Sequence, residues 1–118
     1  MARRDLSGAV DFGVLDRMTG DDDAVAEEVL GLFTEQAGMW SAMLEPSNAG
    51  WRDAVHTIRG AAAGIGAGPL ALVCAEAEVI DQSLAEPALD RVRTALDLAL
   101  ADVAAWRHEL VLRSLKAL

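Results

Sequence analysis

At 118 residues the chain has room for one domain with one hydrophobic core. Apolar residues make up 53% and charged residues 25%. Alanine and leucine dominate, tyrosine is absent, and the β-branched residues are scattered, a bias toward helix and away from strand. A net charge of −9 excludes nucleic acid as the expected main partner, because phosphate backbones are bound by basic surfaces.

A short helix is read first, over Asp11 to Met18 with Phe12 and Leu15 apolar, lying across one end of the fold. Thr19-Gly20 breaks it, and Asp21, Asp22 and Asp23 open a first long helix, where acids favour the positive end of the helix dipole. The acidic run lacks the alternating ligand spacing of a calcium loop. Val25, Val29, Leu32, Met39 or Trp40, and Met43 recur at steps of three and four, predicting one buried face, and Pro46-Ser47-Asn48 ends the helix. A second long helix is predicted from about Asn48 or Trp51 to Ile65, with Trp51, Val55, Ile58, Ala62 and Ile65 as its buried stripe. Gly66-Ala67-Gly68 supplies a stop, and Pro69 suits the first turn of the helix that follows. That third helix is predicted to reach about Leu84, burying Leu70, Val73, Ala77, Ile80 and Leu84. Glu86-Pro87 restarts the chain into a fourth, where Leu89, Val92, Leu96, Ala99, Val103, Trp106 and Leu110 hold a seven-residue repeat. Helices joined by short connections pack as antiparallel neighbours. The expected fold is therefore an all-α, up-down-up-down antiparallel four-helix bundle with a short N-terminal capping helix, one domain over residues 1–118.

Cys74 is the single cysteine; it cannot form an internal disulfide and is read as core filling. The basic Met-Ala-Arg-Arg start is followed by Asp5 and Asp11, which interrupt any apolar run of an export signal. The longest uncharged stretch, Gly60 to Ala75, is shorter than the ~20 residues a membrane helix needs and is broken by Pro69 and glycines. No membrane partner and a cytoplasmic location are expected.

One segment is odd for a plain bundle. With Val55, Ile58, Ala62 and Ile65 turned to the core, His56 falls on an outward strip with Arg52, Arg59, Gly60 and Ala63. Glycine inside a helix costs about 1 kcal/mol relative to alanine. Gly60 and Gly64 both lie inside, as they would where another molecule's backbone comes close. Gly60 removes the side chain that would shadow the imidazole, and Gly60, Ala63 and Gly64 leave a low landing area beside the cation of Arg59. A neutral imidazole on such ground is a reasonable nucleophile for phosphate. His108 stands near the end of the last helix without a partner motif and is read as solvent-exposed; two histidines so far apart make no metal site.

The run His56-Thr57-Ile58-Arg59-Gly60-Ala61-Ala62-Ala63-Gly64-Ile65-Gly66 resembles the signature of the histidine-containing phosphotransfer (HPt) family. That signature is histidine, two residues, lysine or arginine, glycine, small residues, an apolar position and a second glycine. Leu70 to Glu78 resembles the helix that follows in that family, and Leu15 to Asp21 with Leu30-Gly31-Leu32-Phe33 resembles its opening segments, so the likeness covers nearly the whole chain. Two positions depart from the pattern: Trp51 stands only five residues before His56, and Arg59 occupies the usual lysine position, keeping the charge with a different donor geometry.

The resemblance implies that His56 accepts a phosphoryl group from a receiver-domain aspartate and passes it to another. Arg59 would steady the phosphoryl oxygens, Gly60 would admit the receiver, and Glu78 would hold the inner ring nitrogen and fix the tautomer. Arg52, Gly60, Ala63 and Gly64 would form the partner-binding surface, with Arg52 as a rim charge attracting an acidic receiver. The implied partners are the receiver domains of a hybrid histidine kinase or a response regulator. No cofactor belongs to the chain itself; Mg2+ is expected in the partner receiver. With neither a phosphate-cradling GxxxxGK loop nor a kinase lobe, the chain is expected to be a phosphocarrier without kinase activity of its own, and a monomer. The competing reading keeps the same bundle as an adaptor or inhibitor that binds a receiver or kinase domain without being phosphorylated.

Overall fold

In a computed structural model, which describes residues 6–117, five α-helices and one 3-10 turn follow one another. They are α1 (Phe12–Met18), α2 (Asp23–Met43), α3 (Trp51–Ile65), α4 (Gly68–Glu78), the 3-10 turn Gln82–Leu84 and α5 (Ala85–Lys116). The described residues contain no strand. Met1 to Asp5, on which part of the reading about an export signal rests, lie outside the described residues. No helix among those described is long and apolar enough to cross a membrane.

Aspartates start the first two helices. Asp11 caps α1 by accepting from the Gly13 backbone N–H, and Asp22 caps α2 by accepting from those of Ala24 and Val25 at 3.0 and 3.1 Å. The acidic run therefore serves a helix terminus. At the far end of α3, the Gly66 N–H returns to Ala63 O and the Ala67 N–H to Ala62 O, a Schellman ending that needs the left-handed φ of +87° found at Gly66. The same glycine lets α1 approach: the Asp11 N–H donates to Gly66 O at 2.8 Å, and a Cβ at position 66 would sit 2.2 Å from Asp11 O.

α2 packs against α3 and α5, α4 packs against the same two helices, and α1 lies on α3. Ion pairs show that α2 and α5 run in opposite directions. Arg113 meets Asp23 at the start of α2, Arg107 forks onto both carboxylate oxygens of Glu27, and Arg93 near the start of α5 donates to Leu44 O at the end of α2. Inside, Phe12 stacks on Trp106 with ring centroids 4.9 Å apart, and Phe33 meets Trp40 edge-on at 5.7 Å.

The α3 and α5 stripes lie where the spacing put them: Trp51, Val55, Ile58, Ala62 and Ile65, and all seven repeat positions from Leu89 to Leu110, are buried. The α2 stripe is one residue out of register. The buried line is Ala26, Leu30, Phe33, Ala37, Trp40 and Leu44, while Val25, Leu32 and Met39 are exposed. Two adjacent faces of α2 carry apolar residues at helical spacing, and the one holding both aromatic rings and two small alanines is the one that fits the core. The third expected helix is also shorter than read. α4 ends at Glu78, Asp81 then caps the 3-10 turn through its bond to the Ser83 N–H, and Leu84 is exposed.

Candidate functional site

Arg52, His56 and Arg59 stand at steps of four and three on α3, so their side chains share one outward strip. α4 returns alongside α3 after the Gly66 corner, and its last residue, Glu78, arrives opposite that strip. The His56 side chain is 77% exposed, and its Nδ1 lies 2.8 Å from Glu78 Oε1. The other carboxylate oxygen, Oε2, accepts from the Arg59 guanidinium at 2.8 Å. One carboxylate thus binds both the imidazole and the neighbouring cation.

The electrostatics follow from that geometry. Partial burial pushes the Glu78 carboxyl up, but the bonds from His56 and Arg59, together with the Arg59 charge, more than offset it and hold the group below its ordinary value. An ionised carboxylate only accepts, so the His56 nitrogen facing it carries the proton. In the neutral ring that assignment leaves the lone pair on Nε2. Cys74, one turn before Glu78 on α4, is fully buried; burial first, and the Glu78 charge second, push its thiol up to about 12. It is a core residue and not a second nucleophile.

The ground around the ring is low. Gly60 and Ala63 are exposed, and a Cβ built on Gly60 or on Gly64 would meet nothing within 4 Å. On the α2 side of this strip, Ala61 and Gly64 line a shallow groove with Met18 of α1 and Leu32 and Gln36 of α2. Met18 and Leu32 are both 54% exposed, and the sequence reading assigned neither to this face. The spacing on α2 places Leu32 in the buried stripe, one residue out of register with the face that is buried.

Arg52 sits differently from the rim charge expected of it. Its guanidinium turns inward, donating to Glu78 O at 2.9 Å and Ile80 O at 2.7 Å while lying 4.3 Å from the centre of the Trp51 ring. Trp51, buried at the start of α3, donates its indole N–H to Gln82 Oε1, and the Gln82 amide donates to Pro46 O. Sequence alone offered no signal for these partners, since two of them are backbone carbonyls. His108 is exposed and outside this cluster. Among the described residues, no group of three or more histidine, cysteine, aspartate or glutamate side chains is placed to hold a metal ion.

Comparisons with known proteins bear on this cluster. A comparison with curated proteins gives no match. Among solved structures, the chain is similar to the histidine phosphotransferase ShpA from Caulobacter crescentus, with 53% identity and a TM-score of 0.81, covering 92% of this chain and 99% of that one. The family model described as Hpt domain matches residues 27–106, which include α3, α4 and every residue of the His56 cluster. The chain therefore belongs to the Hpt domain family.

Proposed function

We propose that this chain is a phosphocarrier of a two-component phosphorelay, taking a phosphoryl group onto His56 from the aspartate of one receiver domain and giving it to the aspartate of another. The observation that carries the reading is an exposed imidazole whose Nδ1 is held by Glu78, leaving Nε2 as the nucleophile. The helices are proposed to form an up-down-up-down antiparallel four-helix bundle with α1 across one end, acting as a cytoplasmic monomer.

In the forward step the Nε2 lone pair attacks phosphorus, the N–P bond forms, and the P–O bond to the receiver's aspartate breaks, releasing that side chain as a carboxylate. The proton on Nδ1 stays where it is, and Glu78 stabilises the positive charge that develops on the ring. Arg59 bonds Glu78 through one terminal nitrogen, and its remaining donors are available to phosphoryl oxygens. The return step reverses this, with a second receiver's carboxylate as the attacking group. Mg2+ and the acceptor aspartate belong to the receiver, so this chain supplies the nucleophile, its orientation and a landing surface.

That surface is proposed to be the strip Gly60, Ala63 and Gly64 with the adjoining groove of Met18, Leu32 and Gln36. Apolar side chains beside open glycines suit a receiver face that must come within bonding distance of the ring. Exchange of partners calls for transient docking, with an interface on the order of 1,000 Å2.

The test mixes the chain with a receiver domain charged by acetyl phosphate in the presence of Mg2+ and assays acid-labile phosphate on the chain. Label on the wild type and none on His56→Gln is the expected result. Equal label on both would remove His56 from the mechanism, and stable receiver binding without any label would turn the reading toward an adaptor.

A further inference from the structure

Glu78 can orient His56 only if Glu78 is itself held, and it occupies a poor place for that. It is the last residue of α4, where the closing carbonyls have no partner within the helix. The residue that follows, Val79, is not a glycine in the left-handed conformation that commonly closes a helix. Such an end frays unless something outside the helix takes its carbonyls.

Arg52 takes them. From α3 its two terminal nitrogens donate to Glu78 O at 2.9 Å and to Ile80 O at 2.7 Å, spanning the point where α4 gives way to the next turn. The guanidinium is fixed in turn by lying over the buried Trp51 ring, which is braced through Gln82 to Pro46. Three side chains from one strip of α3 therefore meet a single residue: Arg52 at its backbone oxygen, His56 at Oε1 and Arg59 at Oε2.

We propose that Arg52 is a positioning residue: by clamping the carbonyls of Glu78 and Ile80 to α3, it holds the Glu78 carboxylate against Nδ1 of His56 and so keeps Nε2 as the nucleophile. The consequence for rate rests on the phosphotransfer reading; the consequence for the ring tautomer does not. A displacement of about 1 Å would take the 2.8 Å contact beyond hydrogen-bonding range. The fork geometry matters as much as the charge, because an ammonium on a flexible stem is a point donor with no rigid pair of donors to span two carbonyls. A residue that merely attracted an acidic receiver would work equally well as lysine and would leave the imidazole unchanged.

The experiment uses the full chain with 15N-labelled histidine, observed by NMR at about pH 8, where histidine rings are mostly neutral. Its variants are Arg52→Met, which keeps an apolar stem over Trp51, and Arg52→Lys. The wild type should show a proton on Nδ1 of His56, and Arg52→Met should move a large share of it to Nε2, with lysine in between. Phosphorylation by phosphoramidate gives a second readout, since this small donor needs no docking; its P–N bond breaks and ammonia leaves as the bond to Nε2 forms. The rate should fall about tenfold in Arg52→Met, the scale seen when residues that orient reacting ligands are removed. A wild-type tautomer and rate in Arg52→Met would overturn the proposal. Should Arg52→Met fail to fold by circular dichroism, Arg52→Lys decides, and a lysine variant identical to wild type in both readouts overturns it too. A wild type that takes no label from a charged receiver would instead overturn the phosphotransfer reading, leaving the tautomer result to stand.

Discussion

Glu78 Oε1 and His56 Nδ1 lie 2.8 Å apart although 22 residues separate them along the chain. The contact depends on the Gly66 corner, which folds α4 back along α3 so that the end of one helix meets an early turn of the other. Removing the carboxylate should therefore damage reactivity far more than folding. Glu78→Ala is expected to slow transfer from a charged receiver by roughly 10- to 100-fold, the range for lost orienting partners. Its folding stability should change by less than about 1 kcal/mol, as for other partly exposed ion pairs. Glu78→Gln keeps an acceptor oxygen for Nδ1 and should lose less. Urea unfolding alongside the label assay checks both halves.

The same carboxylate gives stability a pH dependence of definite sign. Burial raises the Glu78 pKa, but the bonds from His56 and Arg59 and the Arg59 charge lower it by more, so the folded chain takes up this proton at lower pH than the unfolded chain. The stabilising contribution is complete above the unfolded carboxylate value, ~4.3, and is lost as pH falls through the lower folded value. Urea midpoints measured downward from pH ~6 should fall more steeply for the wild type than for Glu78→Gln, the two curves approaching each other at the acid end. Parallel curves would mean that Glu78 is not held in this way.

Gly60 separates docking from folding. A Cβ there meets nothing within 4 Å, so Gly60→Ala should raise folding stability by about 1 kcal/mol through helix propensity alone. A bulky side chain at the same place, as in Gly60→Phe, should block transfer from a receiver while leaving phosphorylation by phosphoramidate close to wild type. Loss of both reactions would place the defect in the ring itself and not in access to it.

Much of this was legible in the residues, and the exceptions share a cause. The α3 and α5 stripes were readable because each has one apolar face, and that framing placed His56 outward with Arg59 and Gly60. α2 has two adjacent apolar faces, and Val25, Leu32 and Met39 outweigh Ala26 and Ala37 in hydropathy, although the latter line is buried. Packing against neighbours decides between such faces, and spacing does not contain it. Arg52 was found by its place on the strip, but its acceptors are carbonyls, identical in every residue and so invisible in a sequence. Asp102 is the other case. It is fully buried on α5 and accepts from Ser7 N, Ser7 Oγ and Val10 N, tying down the segment before α1. Its place three residues after Ala99 and four before Trp106 was the one available hint.

Cys74 should be inert while the chain is folded. Burial, reinforced by the Glu78 charge, pushes its thiol up to about 12, which leaves almost no thiolate at neutral pH and no path for a reagent. Ellman's reagent is expected to titrate one thiol in urea and essentially none in native buffer. Fast labelling of the native chain would show that α4 opens beneath the site.

Gly66 and Gly64 should respond to the same substitution with opposite signs. Gly64 has helical surroundings and open space where a Cβ would go, so Gly64→Ala should stabilise the fold by up to about 1 kcal/mol. Gly66 adopts a φ of +87°, where an L side chain costs roughly 1–2 kcal/mol before any contact is considered. The added Cβ would also fall 2.2 Å from the carbonyl oxygen of Asp11, a backbone atom that cannot swing aside as a flexible side chain could. Relieving that clash means moving α1 away from the corner and stretching the Asp11 N–H bond to Gly66 O. Gly66→Ala is therefore expected to lose at least about 3 kcal/mol by urea unfolding, in the range reserved for strained backbone positions. Because this corner brings Glu78 back to His56, the variant should also lose the Nδ1 proton signature at temperatures where it is still folded. A Gly66→Ala chain with wild-type stability would mean that α1 does not press on the corner as described.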